Sequence, residues 1–173
     1  MSADVQHNPE GLFRMLEKSK VVPIFKTQLK RLNFTKTRTT WHRTLDDVIH
    51  VVMLKKSGYG EYYDMNTSLF LRALDNDKQF PAENHCHLRA RVEKAFPDEG
   101  DRVMRALVLD YPRFREEESI EILESFLSGT YARFVDAHQD LAAIRRAYNN
   151  QELDRFMTVA IARSLLEKGC ESA

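Results

Sequence analysis

The chain has 173 residues, of which 43% are hydrophobic and 30% are charged. This length supports one domain with its own core and is short for two, and the composition is ordinary for a soluble globular protein. The first ten residues lack the basic and apolar regions of a signal peptide, and no apolar run approaches the ~18 residues that span a bilayer, so we expect a cytoplasmic protein without a membrane segment.

The net charge of zero conceals a division of charge along the chain. Residues 1–95 carry 16 Lys and Arg against 11 Asp and Glu, whereas residues 96–173 carry 10 against 15. Within the first part, residues 18–45 contain eight basic residues and no acidic one. Such a run creates a positive potential that attracts an acidic partner. The alternative is that the run packs against the protein's own acidic half.

Two helices are predicted near the N-terminus. The first covers residues 12–18, and the second begins near Pro23, a residue that suits a first helical turn. An apolar face of the second helix is formed by Phe25, Leu29 and Leu32. Asn33 tolerates a left-handed backbone and is the predicted end of this helix.

A sheet of about four antiparallel strands is predicted next. The strands cover residues 35–43, 48–54, 62–74 and 85–92. The first is rich in Thr and contains Trp41, which favours a strand. The second is nearly continuous in apolar residues, as in a central strand covered on both faces. The fourth alternates, with an apolar face formed by Cys86, Leu88, Ala90 and Val92.

The remainder of the chain is predicted to be mainly helical. Residues 106–109 suit either a fifth short strand or the end of a helix that starts near Asp98. Three helices are predicted after Pro112, over residues 116–134, 141–148 and 153–165. Gly129 is expected to break or bend the first of these, and Gly169 to cap the last.

These elements predict an α+β fold in a single domain, residues 1–173. The helix and antiparallel sheet occupy residues 22–92, and a helical tail, residues 112–169, packs on them. We expect one face of the sheet to be covered by the N-terminal helix and part of the C-terminal helices.

A family resemblance lies in the order of these segments. It is carried by the runs Phe25–Phe34, Val48–Ser57, Tyr62–Asn66 and Cys86–Arg91, together with Trp41. Over about Val22 to Val92 the chain resembles the bacterial domain-of-unknown-function 4304 family, with Asn33 where that family has glycine. The resemblance implies an α+β fold and a bacterial cytoplasmic setting, and it implies no established activity. Families of this size and shape are often found near toxin genes as immunity proteins.

The candidate binding residues are cationic positions on the predicted sheet. The polar face of the fourth strand is formed by His85, His87, Arg89 and Arg91, and Lys36, Arg38 and Arg43 of the first strand extend it if they lie opposite. One interpretation is an exposed positive face that binds an acidic partner or a phosphate. The other is a face covered by the acidic half, with its arginines paired to carboxylates such as Glu117 or Glu121.

Other chemistry has weaker support in the sequence. His85 and His87 become metal ligands only if His50 or His42 supplies a third ligand, and Cys86 and Cys170 have no metal or redox spacing, so both are expected to be reduced thiols. A base-stacking platform is the alternative to core packing for Trp41, Tyr59, Tyr62 and Tyr63. The segment from Ser57 to Gly60 is interpreted as a turn. No catalytic motif is present, and no cofactor is predicted.

The leading hypothesis is a non-enzymatic protein-binding module, with an immunity-type inhibitor of a bacterial toxin as its specific form. Nucleic-acid or phosphate binding through a basic sheet face is the second hypothesis. The neutral pI of 7.0 counts against it, because dedicated nucleic-acid binders usually have a basic domain. An unrecognised hydrolase or metalloenzyme is the third. The sequence gives no indication of the oligomeric state.

Overall fold

The structure, a computed structural model, describes residues 14–111 and 113–167. Its first helix, α1 (Lys18–Arg31), buries an apolar face that includes Phe25 and Leu29. Pro23 lies inside α1, so the helix begins earlier than predicted. The separate helix predicted over residues 12–18 does not form in its described part, because the backbone of residues 14–17 is not helical; residues 12 and 13 lie outside the described part.

Within the described residues the sheet has six antiparallel strands, not four, in chain order. They are β1 (Thr35–Thr37), β2 (Thr40–Thr44), β3 (Val48–Lys56), β4 (Tyr63–Leu71), β5 (Leu88–Arg91) and β6 (Met157–Thr158). The first predicted strand is a hairpin, because Arg38 adopts a left-handed backbone with φ of 58° and reverses the chain. The sixth strand comes from a segment predicted as helix.

Six further helices follow in the described residues. They are α2 (Val92–Ala95), α3 (Gly100–Ala106), α4 (Glu116–Phe126), α5 (Ala132–Ala137), α6 (Leu141–Asn149) and α7 (Ala160–Glu167). A π-helical turn, Leu127–Tyr131, joins α4 to α5 and contains Gly129, where a bend was predicted. No helix in the described part of the chain is long and apolar enough to cross a bilayer.

Several boundaries differ from the predictions. Residues 83–85 form a 3₁₀ turn, so β5 begins only at Leu88. Of the two alternatives for residues 106–109, the end of a helix is correct, because α3 finishes at Ala106; Val108 adds one isolated bridge to Tyr62 among the described residues. The last helix begins at Ala160, after the turns that contain the buried residues Leu153 and Phe156. Gly169, its predicted cap, lies outside the described residues.

Helices cover one face of the sheet, as predicted. Beside α1, α3 and α4 this face contributes Val52, Leu54 and Met65 to one apolar cluster. Beside α6 and α7 it contributes residues such as Leu69 and Leu88 to a second cluster. We call this the helix-covered face; the two clusters stabilise the fold through buried apolar area.

A loop, residues 72–87, covers the middle of the opposite face. Beneath it lies a small apolar cluster formed by Ile49, Val51, Phe70 and Cys86. His42 donates its Nε2–H to the carbonyl oxygen of Pro81 at 2.9 Å, which holds the loop on the sheet. We call this the loop-covered face. The apolar run of β3 predicted that both of its faces are covered, but the strand pattern did not identify this loop as the cover.

Candidate functional site

The seven candidate binding residues do not form one face. The strand register shows which residues of β2 and β5 lie on the same face of the sheet. By that register Arg43 points to the helix-covered face, whereas Arg89 and Arg91 point to the loop-covered face. Arg38 lies in the exposed hairpin turn and His85 in the exposed 3₁₀ turn. The structure therefore divides the predicted site among separate surfaces.

The two arginines of β5 have partners on β4, on α2 and in the 3₁₀ turn. Arg91 contacts the Asp64 carboxylate at 2.7 Å and that of Glu93 at 2.8 Å. Arg89 donates to the backbone carbonyl of Asn84 at 3.3 Å. The predicted pairing with Glu117 or Glu121 is wrong, because α4 packs on the other side of the sheet.

The histidines are also held apart. His87 is buried against the Phe70 ring, with 4.6 Å between centroids, and its Nδ1 accepts the backbone N–H of Leu71 at 2.9 Å. Burial lowers the pKa of His87. His50 lies on the helix-covered face, so His85, His87 and His50 cannot share a metal. The described residues contain no group of three or more metal-ligating side chains.

The aromatic platform does not form. Trp41 and Tyr63 are core residues, and Tyr62 is half-buried. Tyr59 alone among the four is fully exposed. The core interpretation therefore holds for Trp41 and Tyr63, and the segment from Ser57 to Gly60 is a turn, closed by a bond from the Ser57 N–H to the Tyr62 carbonyl at 2.9 Å.

Carboxylates near the histidines are engaged in structural bonds. Glu83 accepts from the Asn66 amide and the Ser68 hydroxyl, each at 3.4 Å, and this anchors the 3₁₀ turn to β4. Cys86, which directly follows this turn, is a buried free thiol. Burial raises the pKa of this thiol to about 12, so it is protonated and unreactive at neutral pH.

A different surface collects the cations of the acid-free run. A groove of about 880 Å³ lies between α1 and β1. Its cationic side chains are Lys26, Lys30, Arg31 and Lys36, and its apolar wall includes Val22 and Pro23. We call it the basic groove. Of the predicted binding residues it includes Lys36, and Arg38 lies two positions further along.

Local sequence explains how the groove is built. Phe25 and Leu29 turn one side of α1 into the core, which leaves Lys26 and Lys30, four residues apart, on an exposed side. Asn33, with φ of 61°, ends the helix and reverses the chain. β1 then runs back beside α1.

The far side of the groove is fixed by an aromatic contact. The Lys36 ammonium lies 5.3 Å from the centre of the Trp41 ring, a cation–π distance. Trp41 itself packs on Phe25 of α1, with 6.1 Å between ring centroids. The Lys36 stem is thereby oriented before any partner arrives.

Only part of the basic run is neutralised by the acidic half. Lys20 donates to Glu116 of α4 at 2.6 Å, which holds the pKa of that carboxyl below its ordinary value, and Arg43 reaches Asp136 at 3.5 Å. Within the described residues, none of the four groove cations has a carboxylate oxygen within 4 Å. The groove therefore keeps a net positive charge.

The other flank of α1 has the opposite charge. A second groove, of about 510 Å³, lies between α1 and α4 and includes Glu117, Glu121 and Glu124, with Ile120 among its lining residues. Arg31 lines both grooves and lies at the border between them. Glu124 accepts from the Gln28 amide at 3.2 Å. We call it the acidic groove. Basic and acidic surfaces thus flank one helix.

The sequence did not single out Lys26, Lys30 or Arg31, although the signal was present. These residues belong to the acid-free run, and their spacing on α1 places the lysines together. The sequence did not show that β1 lies beside that helix.

Comparison with known proteins identifies one family. The family described as a domain of unknown function, DUF4304, matches residues 25–117. This match covers α1 from Phe25, five strands and the start of α4, including most of the basic groove. No curated protein and no solved structure matches the chain.

Proposed function

This chain belongs to the DUF4304 family, whose description assigns no activity, and we propose that it is a non-enzymatic module that binds an acidic protein through the basic groove. We place it in the bacterial cytoplasm and regard residues 1–173 as one domain, with the helical tail packed on the sheet. The single observation that carries the proposal is the set of four groove cations without carboxylate partners among the described residues.

The composition of the groove favours a protein as its ligand. Lys26 and Lys30 supply charge, while Val22 and Pro23 supply an apolar wall that an aliphatic or aromatic side chain can cover. Protein interfaces combine an apolar centre with a charged rim, and the rim controls steering and specificity. The overall pI of 7.0 is low for a dedicated nucleic-acid binder.

An immunity-type inhibitor of a bacterial toxin is the specific form of this proposal. It is supported by the absence of a catalytic motif in the sequence and by the association of families of this size and shape with toxin genes. The physical expectation is a stoichiometric complex in which the groove cations meet carboxylates of the toxin. Neutralisation of the toxin would then depend on Lys26 and Lys30.

The experiment is affinity purification of the tagged chain from its own host, with nuclease treatment and identification by mass spectrometry. The test variant is Lys26→Glu with Lys30→Glu. The control is Lys94→Glu with Arg163→Glu, which makes the same change in net charge at exposed positions on α2 and α7. We expect one stoichiometric protein with the wild type and the control, and at least tenfold less of it with the groove variant.

Two results would contradict the proposal. One is equal recovery of the partner with the groove variant and the control, which would place binding elsewhere. The other is the absence of any stoichiometric protein from nuclease-treated wild-type material.

Nucleic acid is the second candidate, because four clustered cations also suit phosphates. A duplex held by all four would lose affinity with salt at a log–log slope of about −3 to −4. Binding of a random-sequence duplex with that slope, abolished by the groove variant, would favour this candidate. An affinity that does not change between low and moderate salt would exclude it.

A further inference from the structure

The two charged surfaces beside α1 match each other in spacing. Lys26 and Lys30 are separated by one helical turn on α1, and Glu117 and Glu121 are separated by one turn on α4. Residues four apart on a helix lie about 6 Å from one another. All four side chains belong to exposed residues, and none has an oppositely charged partner within 4 Å in the described chain.

The chain already contains one contact of this kind. On its inner flank α1 packs against α4, with Lys20 on Glu116 at 2.6 Å and Gln28 on Glu124 at 3.2 Å. A polar and basic helix is thus stabilised by an acidic one inside the molecule. The outer flank of α1, at the basic groove, has no such helix beside it among the described elements.

We propose that the basic groove of one copy binds the acidic edge of α4 of a second copy, with Lys26 and Lys30 on Glu117 and Glu121. The apolar residues Val22 and Ile120 lie beside these charges on their respective surfaces. The net charge of zero removes overall repulsion between copies. The occupant is therefore another molecule of the same chain.

The symmetry of this contact follows from the placement of the two surfaces. They lie on different flanks of α1, so the patch that donates is not the patch that receives. One such contact leaves a free basic groove on one copy and a free acidic edge on the other. A two-fold axis that brings both pairs together closes a dimer, and any other arrangement continues from copy to copy or closes a ring. Because exposed ion pairs are individually weak, the association is expected to be reversible and sensitive to salt.

This inference rests on the proposed function in one respect, since both use the basic groove. A self-docked copy occupies the groove, so an acidic partner must displace it. The α4 edge of a second copy thus regulates access to the groove. Self-association is measurable without the partner, and partner binding without self-association, so failure of one proposal is distinguishable from failure of the other.

The experiment is sedimentation velocity of the full chain from 10 µM to about 1 mM, at 25 and 250 mM NaCl. One variant is Lys26→Glu with Lys30→Glu, and the other is Glu117→Lys with Glu121→Lys. We expect the wild type to associate at 25 mM NaCl. Its dissociation constant should be at least threefold higher at 250 mM NaCl. Each variant alone is expected to be monomeric, and an equimolar mixture of the two to associate again.

Disulfide crosslinking tests whether the copies meet at the proposed residues. In a Cys170→Ser background, with Cys86 buried, Lys30→Cys chains are mixed with Glu121→Cys chains under oxidising conditions. We expect a crosslink between unlike chains that exceeds by at least tenfold the one formed by Lys94→Cys and Glu121→Cys. A wild type that is monomeric at about 1 mM and low salt, or equal crosslinking by the two pairs, would overturn the proposal.

Discussion

The two faces of the sheet are covered by different means. Helices bury one face in two apolar clusters, whereas a loop of residues 72–87 buries the centre of the other. The loop is held by single polar bonds, such as the one from His42 to the Pro81 carbonyl. The comparison indicates that fold stability resides mainly on the helix-covered face. Side chains at the edges of the molecule are then free to serve binding.

The largest expected effect is at Leu88, which is fully buried on the helix-covered face. Leu88→Asp places an unpaired carboxylate there at a cost of roughly 3–5 kcal/mol, close to the whole stability of a small domain. We expect the variant to be unfolded at 25 °C, as measured by circular dichroism and thermal melting.

Met157 provides the matched control. It lies on β6, paired with Arg89 on the loop-covered side, and is half exposed. Met157→Asp is expected to change the melting temperature by no more than about 2 °C. If both variants melt alike, the assignment of faces is wrong.

Two phenylalanines test how much each face contributes to stability. Phe126 on the helix-covered side is 1% exposed and contacts Phe96 edge to face, whereas Phe80 in the loop is 52% exposed and contacts only His42 among the described aromatic rings. Phe126→Ala is expected to cost about 3–5 kcal/mol of unfolding free energy, because it leaves a cavity. Phe80→Ala is expected to cost less than about 1 kcal/mol.

Urea unfolding of both variants is the measurement, with the wild-type denaturant dependence as reference. Equal losses at the two positions would show that the loop stabilises the fold as strongly as the helices do. A large loss of unfolding free energy at Phe80 alone would show that the loop stabilises the fold more than the helices do.

A pH dependence of the helix-covered face follows from His50. Its Nε2–H donates to the His138 carbonyl at 2.7 Å, and its Nδ1 has no hydrogen-bond partner among the described residues. Burial lowers the pKa of His50 to about 4; the hydrogen bond to the His138 carbonyl and Asp136 oppose this shift, and the His138 ring and Arg43 add to it. The folded protein therefore holds this ring neutral.

The direction of this pH dependence follows from the pKa of about 6.5 that a histidine has in the unfolded chain. Between pH 6.5 and 4 the unfolded chain binds a proton at this position and the folded chain does not, so stability falls as the pH falls. The full loss from His50 is about 3 kcal/mol, and at pH 7 and above there is none. We expect urea midpoints to decrease steadily from pH 7 to 4.

His50→Gln tests whether the pH dependence arises from His50, since the amide of Gln retains a hydrogen-bond donor and does not titrate. The pH dependence of the urea midpoint should become weaker in this variant without disappearing, because burial also lowers the pKa values of His42, His87 and His138. An unchanged slope in His50→Gln would assign the acid sensitivity to these other histidines.

Local patterns allowed much of the fold to be predicted. The apolar run of β3 is central and covered on both faces, and Asn33 ends α1 because its left-handed backbone is a local property. Pairing between distant segments was not predictable. Met157 and Thr158 form β6 although they lie in a segment with helical spacing, because β5 offers them a free edge.

The candidate site shows the same limit. The acid-free run predicted a positive surface, and the basic groove is built from it. The alternation in residues 85–92 predicted a row of four cations. The row fails because residues 83–85 form a 3₁₀ turn instead of a strand and His87 is buried at the end of the loop, while Arg91 stays exposed.

The smallest expected effect is at the two arginines of β5. The Arg91 side chain is 53% exposed, and exposed pairs such as those with Asp64 and Glu93 contribute about 0–1 kcal/mol. Arg89 donates to the Asn84 carbonyl at the end of the loop, and that bond is replaceable by water. Arg89→Ala with Arg91→Ala is therefore expected to fold and to lower the melting temperature by only a few degrees. Because neither side chain lines the basic groove, the double variant should also retain the partner that Lys26→Glu with Lys30→Glu releases. Loss of the partner with an unchanged melting temperature would transfer the binding function to the loop-covered face.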